Sequence, residues 1–314
     1  MYLPHMGDQT PENENEAVMD GTWERDGKNP VTAALFGLTV IGVTYYYAQA
    51  IMTFVGTIFA MGSSKIDTDG MSFIDRMSAM VAESKQPLRI SLIVSQVLFM
   101  LLPTIWLIKR WHSTEVRKYL RITPAPFLEV LLAVLITLLF LPVSHFISNF
   151  FVTQLNMPDF LIAINEQLFS SYTIEEFLWL TLVVCITPAV CEEIFFRGFV
   201  QGTMERRIGT KSVIIIGIVF GAFHVQPISL IPLSLLGILF GYFYQRSRSM
   251  LPNAAAHFTN NFAATVIMAK AADGTPLFGQ FISNMGILEV MMTIPPLLLL
   301  LRYYHFRTEQ HHLQ

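Results

Sequence analysis

Apolar residues fill this chain in blocks that are too long and too uniform for one-sided helices of a water-facing domain. Eight blocks stand out, at 31–61, 87–108, 126–149, 175–200, 212–226, 229–245, 251–269 and 283–301. A helix crossing the hydrocarbon core of a bilayer needs about 20 residues. The pattern therefore predicts an all-α fold, a polytopic membrane helical bundle with about eight transmembrane helices. The fifth and sixth blocks are short, and Pro227 and Pro232 lie at their junction, which predicts a tight or partly submerged hairpin. Two connections follow a different rhythm. Phe73, Ile74, Met77, Met80 and Val81 share one helical face within 71–84, and Phe160, Leu161, Ile164 and Leu168 do so within 158–169. These predict two amphipathic helices lying on the outer membrane surface, or loop helices packed on the bundle.

Composition sharpens this picture. Of 314 residues, 53% are hydrophobic and 14% charged, against about 25% charged in an ordinary soluble domain. That excludes a water-soluble globule. Twenty Lys and Arg face 23 Asp and Glu for a net charge of −3. No basic cluster is dense enough to follow a phosphate backbone, so nucleic acid is excluded as a partner and the lipid bilayer takes its place. Seven acidic residues crowd into 1–28 (Asp8, Glu12, Glu14, Glu16, Asp20, Glu24 and Asp26) against Arg25 and Lys28. With little apolar periodicity, 1–28 is predicted to be a disordered acidic tail. Its acidic start rules out a cleavable signal peptide. Residues 29–305 then form the membrane domain and 306–314 a second tail.

The remaining positive charge is unevenly placed. Lys109, Arg110, Arg117, Lys118 and Arg121 fill one connection, and Arg206, Arg207 and Lys211 another. Arg246 and Arg248 occupy a third, and Arg302 and Arg307 follow the last block, whereas 151–174 has no Lys or Arg. With eight spans, both termini and every basic loop fall on one side. By the positive-inside rule that side is cytoplasmic, and a cell inner membrane is the expected location. Cys185 and Cys191, the only two cysteines, are six apart in one apolar run. On a helix they point apart, so they read as core residues and not as a disulfide.

Ionisable residues inside the apolar blocks carry the chemistry, since a charge at membrane depth costs at least about 2.5–3.5 kcal/mol and demands a partner or a purpose. Glu192, Glu193 and Arg197 lie in one block, His224 in another, and His257, Asn260 and Asn261 in a third. His145 and Glu289 stand near block ends, where an interfacial role is the default. Glu193 and Arg197 are four apart with the acid first, the favourable order for a helical ion pair. Glu192 is rotated by about 100° and left without a same-helix counterion, as a general base requires. The bland alternative is a helix–helix ionic clamp.

Depth brings these groups together. At 1.5 Å per residue, Glu192 lies roughly 20 Å from Arg206, His224 roughly 18 Å from Ser212, and Asn261 roughly 16 Å from Met250. Three blocks can aim a carboxylate, an imidazole and the His257/Asn261 pair at one point. A lone buried histidine is usually a hydrogen-bonded core residue, but this coincidence with Glu192 is not expected of one.

Glu192-Glu193 with Arg197, Phe220 with His224, and His257 with Asn261 read as EExxxR, FxxxH and HxxxN on successive membrane helices. In these three motifs the chain resembles the CPBP family, the CAAX proteases and bacteriocin-processing enzymes also called Abi, which includes the Ras-converting CAAX endopeptidase. The motifs cover about 70 residues, within a catalytic core of about 175–270. The resemblance implies an intramembrane endopeptidase acting on membrane-associated, CAAX-like peptides or proteins. By position, Glu192 with His224 would activate the attacking water, and His257 with Asn261 would form the oxyanion site. Glu193, Arg197 and Phe220 would support them. The family is often described as metalloproteases, and Glu192, His224 and His257 could hold Zn²⁺ with a position open for water. HExxH is absent, and Asn is a better oxyanion donor than zinc ligand, so a metal-free mechanism is preferred and no cofactor is expected. No GxGD occurs in a block, and no GxSx nucleophile is paired with a histidine. Ser144 and Ser234 read as packing residues. The competing classes are a non-catalytic membrane scaffold, a bacteriocin-immunity protein and a proton-coupled transporter.

Overall fold

The computed structural model describes residues 16–63, 70–156, 166–271, 273–277 and 286–309. Among these residues eight long helices make up the molecule: α1 Pro30–Ser63, α2 from Phe73 to His112, α3 Phe127–Gln154, α4 Ile174–Ile208, α5 Lys211–Phe223, α6 Leu230–Ser247, α7 Met250–Ile267 and α8 Ile287–Glu309. Local chemistry starts several of them. Ser72 accepts from the Asp75 N–H at α2, and Ser249 accepts from the Leu251 N–H at α7. Thr173 accepts from the Glu176 N–H while Glu176 Oε2 takes the Tyr172 N–H, a reciprocal pair that satisfies the orphan donors at the start of α4.

The bundle is built for lipid. Five helices, α1, α2 (over Ala79–His112), α3, α4 and α8, are long and apolar enough to cross a membrane, and between 17% and 44% of each apolar window is buried inside the molecule. Phe54, Phe59, Trp106, Phe127, Leu288 and Met292 are each more than 60% exposed, a surface that water would penalise and hydrocarbon does not. The protein is thus an integral, multi-pass membrane protein. The eight-span expectation is not settled by helix length. α5 is apolar but has 13 residues, and α6 and α7, with 18 each, are not apolar enough on the same measure.

α5 and α6 form the expected tight hairpin, and small residues make it possible. A Cβ on Gly237 would lie 2.5 Å from the Gly217 carbonyl oxygen, and one on Gly221 would lie 2.2 Å from Ser234 Oγ. Backbones approach this closely only where side chains are missing. One core joins α1, α2, α4 and α5 through Ile41, Met100, Phe195, Phe196, Phe199 and Phe220. A second joins α3, α6, α7 and α8 through Leu132, Ile136, Phe240, Phe243, Ala256, Leu297 and Tyr304. α4 carries residues of the first core and, as shown below, bonds to α7 beside the second.

Three expectations need correction. Residues 71–84 do not form a separate surface helix, because the helix that begins at Phe73 continues without a break into the membrane run of α2. Most of 158–169 lies outside the described residues. Residues 16–28 are not a loose tail. A single helical turn, Thr22–Arg25, docks on the basic connections. Glu24 bonds His112 Nδ1 and takes Arg206 Nη1 at 2.8 Å, and Asp20 accepts from the Thr114 N–H at 2.8 Å. Burial pushes the Glu24 carboxyl up, but the His112 and Arg206 hydrogen bonds outweigh it and hold it at about 2. The acidic composition that suggested disorder is what the basic loops attract. At the other terminus, 306–309 are not tail but the last turn of α8.

The same end of the bundle gathers every other basic loop among the described residues. Arg121 and Arg248 both reach Glu205, at 3.1 Å each, and Arg246 donates to the His305 carbonyl at 2.7 Å. The opposite end carries Lys85–Glu176 and Lys270–Glu166 pairs.

Candidate active site

α4 is not a uniform helix. Leu182–Ile186 and Ile194–Gln201 are wound as π-helix, and the short α-helical stretch Thr187–Glu193 between them carries both glutamates. α2 has a π segment at the same level, Gln96–Leu101. Such segments redirect side chains and recur at functional sites.

Glu193, Arg197 and His257 are almost completely buried, and Glu192 is 8% exposed. Arg197 Nη1 donates to Glu193 Oε1 at 2.8 Å, and its Nη2 donates to the Gly237 carbonyl at 3.0 Å. The guanidinium also lies over the Phe220 ring, 4.3 Å from its centroid. Glu193 is shared further. His257 Nδ1 sits 2.7 Å from Oε1, and Asn253 Nδ2 donates to Oε2 at 2.6 Å. Three partners from two helices fix this carboxylate, which in turn fixes the ring of His257. With Nδ1 committed to Glu193, Nε2 points away from it, 4.0 Å from Glu192 Oε2. Phe240 stacks on the His257 ring at 5.1 Å and Phe220 meets it edge-on at 5.7 Å, so the imidazole has little freedom to turn.

Glu192 has a different environment. Gln96 Nε2 donates to Oε1 at 3.0 Å, while Oε2 is buried without a hydrogen-bond partner and faces His257 Nε2 across the 4.0 Å gap. That separation is too long for a direct hydrogen bond and suits a bridging water. Tyr45 and Tyr46 of α1 lie within electrostatic reach of the same carboxylate.

His224 follows the last residue of α5 and is half-buried. Its Nδ1 lies 2.8 Å from the Phe220 carbonyl oxygen, which leaves Nε2 as the acceptor, and Phe220 packs edge-on against the ring at 4.8 Å. Val225 comes next at φ 51°, a left-handed position that a β-branched residue adopts only under strain. This sharp turn ends α5 and sets the direction of His224.

Asn261 is tied elsewhere. Its Nδ2 donates to the Val184 carbonyl at 2.7 Å, and its Oδ1 accepts from Asn260 at 3.0 Å. Val184 lies in the π-wound stretch just before Pro188, where regular α-helical pairing is interrupted. Asn261 therefore pins α7 to α4 about two turns before Glu192, and one of its two N–H groups remains for other use.

Among the described residues no three His, Cys, Asp or Glu side chains group closely enough to hold a metal ion, the set Glu192, His224 and His257 included. Cys185 and Cys191 are both free and buried.

Two residues of the site escaped the sequence reading. Asn253 lies four residues before His257 and eight before Asn261, on one face of α7, and that spacing could have revealed it. Gln96 is an amide inside an apolar block, and membrane depth alone marks it for attention.

Residues 174–263 match the family model described as type II CAAX prenyl endopeptidase Rce1-like. No curated protein and no solved structure matches the chain.

Proposed function

We propose that this chain, whose residues 174–263 belong to the Rce1-like family of type II CAAX prenyl endopeptidases, hydrolyses a peptide bond of a membrane-associated substrate with a water molecule activated by Glu192. The observation that carries this reading is the contrast between two adjacent carboxylates. Glu193 is fully engaged by Arg197, His257 and Asn253, whereas one oxygen of Glu192 is held by Gln96 and the other faces the free nitrogen of His257 across a gap of water size.

In the proposed reaction Glu192 Oε2 takes a proton from the water as its oxygen bonds to the scissile carbonyl carbon. The Nε2 lone pair of His224 accepts the second water hydrogen as a hydrogen bond. Negative charge develops on the carbonyl oxygen, where protonated His257 donates through Nε2–H. Glu193 behind Nδ1 stabilises that imidazolium, and the remaining Asn261 N–H adds a second donor. Glu192 then passes its proton to the leaving nitrogen as the C–N bond breaks. No metal enters any step. The chain's basic loops and both termini are assigned to the cytoplasmic side of a cell inner membrane, in keeping with their gathering at one end of the bundle.

Glu192→Gln keeps the shape and the Gln96 contact but cannot accept the proton. Assayed as purified protein in nanodiscs with an S-farnesylated CAAX peptide, it should lose about 10²–10⁴-fold in kcat at unchanged thermal stability. Full activity in this variant would remove the glutamate mechanism.

A further inference from the structure

The connection between α5 and α6 begins at His224 and turns around inside the bilayer. His224 lies at most about 20 Å along α5 from Lys211, and Ser229 at most about 25 Å back along α6 from Arg246, both starting from the basic end of the bundle. The hydrocarbon core is about 30 Å thick, so 224–229 stops short of its far side. It is level with Glu192, roughly 20 Å along α4 from Arg206. Irregular backbone survives at such depth where protein covers it or where it lines a polar cavity, because hydrocarbon offers nothing to an unpaired N–H or C=O. Among the described residues this stretch is not covered. Val225 is 74% exposed, and Gln226 and Pro227 are exposed beside it. Nor is its backbone satisfied. The N–H groups of His224, Val225 and Ser229 bond to Gly221, Ala222 and Gln226. The N–H groups of Gln226 and Ile228, and the carbonyls of His224, Val225, Pro227 and Ile228, have no partner among the described residues. Pro232 accounts for the last of these, since it lacks the N–H that a helix would direct at the residue four before it. Val225, at φ 51°, keeps the edge in a conformation that persists only where the surroundings or the function demand it.

A peptide brought to Glu192 poses the same problem from the other side. It must be unwound for one carbonyl to reach the space between Glu192 and His257, and an unwound chain has its own unpaired N–H and C=O groups at membrane depth. Pairing the two edges satisfies both. We propose that 225–228 is a docking edge for the main chain of the substrate, which passes His224 as an extended strand. The substrate's N–H groups donate to the free carbonyls of the connection, and its carbonyls accept from the N–H groups of Gln226 and Ile228. This rests on the endopeptidase reading and specifies how that site holds its substrate. Recognition on this edge is through backbone, so what it selects is a segment able to unwind.

The test uses full-length Glu192→Gln protein in nanodiscs, so that cleavage does not intervene, and an S-farnesylated CAAX decapeptide. Amide hydrogen exchange in 224–229 should slow at least about tenfold when the peptide binds, through Gln226 and Ile228. A set of peptides with single amides replaced by esters, each lacking one N–H at nearly constant shape, reads the other edge. Binding should weaken about 5- to 100-fold at alternate positions beside the cut and little at those between, because successive N–H groups of a strand face opposite sides. Unchanged exchange in 224–229 with the peptide bound, equal effects of esters at neighbouring positions, or no binding of the peptide overturns the proposal. Exchange in the unmodified protein under saturating peptide gives the same readout if Glu192→Gln fails to fold. Cleavage by the unmodified protein separates the two readings. Cleavage without protection of 224–229 removes the docking edge and keeps the endopeptidase. Protection of 224–229 without any cleavage removes the endopeptidase and keeps the docking edge.

Discussion

Replacing Glu193 by Gln should do the opposite of replacing Glu192, although the residues are neighbours with the same side chain. Glu193 carries three hydrogen bonds of 2.6–2.8 Å, to Asn253, His257 and Arg197, and has no exposed surface. Gln at this position leaves Arg197 fully buried without a counter-charge, its acceptors reduced to neutral carbonyl oxygens such as that of Gly237, with aromatic faces around it. Removing one partner of a buried ion pair costs about 3–5 kcal/mol because the other charge stays behind. Glu192 has one such bond and no ion-pair partner on its own helix, so its neutralisation should change stability by less than about 1 kcal/mol. The double variant Glu193→Gln/Arg197→Met removes the stranded charge. It should recover at least half of the loss, since replacing a buried pair by apolar groups is often near neutral. The assay is reversible unfolding in detergent, with expression and size-exclusion profile as controls, for the four proteins of the cycle. A Glu193→Gln protein as stable as the parent, or a double variant no better than the single one, would refute the assignment of Glu193 as the structural carboxylate.

Other perturbations reach different parts of the molecule. Gln96→Leu removes the donor that holds Glu192 Oε1 and should lower kcat about tenfold or more with KM little changed, read in the same peptide assay. Gly237→Val places carbon where a Cβ would already sit 2.5 Å from the Gly217 carbonyl oxygen. Backbone cannot yield as a side chain can, so folded protein should fall by the equivalent of about 3 kcal/mol or more, measured by the monodisperse fraction after extraction. The docked segment around Glu24 should respond to acid. Its folded pKa of about 2 lies below the ordinary 4.5, so its contribution is complete above pH 4.5 and is lost as the pH falls from there toward 2. Fluorescence of Trp23, whose ring lies 5.0 Å from that of Trp111, should change over that window and stay flat in Glu24→Gln.

The helices were legible because each apolar block is its own signal, and the small residues of α5 and α6 stand openly in the chain. The tail was misjudged for a reason of the same kind. Composition weighs Asp20 and Glu24 as unpaired charge, while the structure sets them against Thr114, His112 and Arg206, which lie about 90 to 180 residues away in sequence. Local charge density cannot see partners brought by topology. The length of α2 was missed for another reason: an amphipathic start and an apolar continuation look like two elements, yet Ser72 caps a single helix that runs on past Pro87.

At the site, ideal helical spacing identified the Glu193–Arg197 relation because both members lie on one helix, four residues apart. It could not show that His257 also leans on Glu193, which takes a contact between α4 and α7 in a stretch where two π segments shift the register. Pro188 was visible in the sequence, and the winding ahead of it was not. The stretch before it is π-wound and leaves regular α-helical pairing, and Asn261 reaches across from α7 to bond the Val184 carbonyl there. The asparagine of the HxxxN motif therefore has a structural task on α4, about two turns before Glu192. Its loss should cost stability as well as rate, whereas a residue acting only as an oxyanion donor would cost rate alone. Measuring both in Asn261→Leu separates the two tasks: a fall in kcat with unchanged unfolding would show that the Val184 bond does not hold α4 in place.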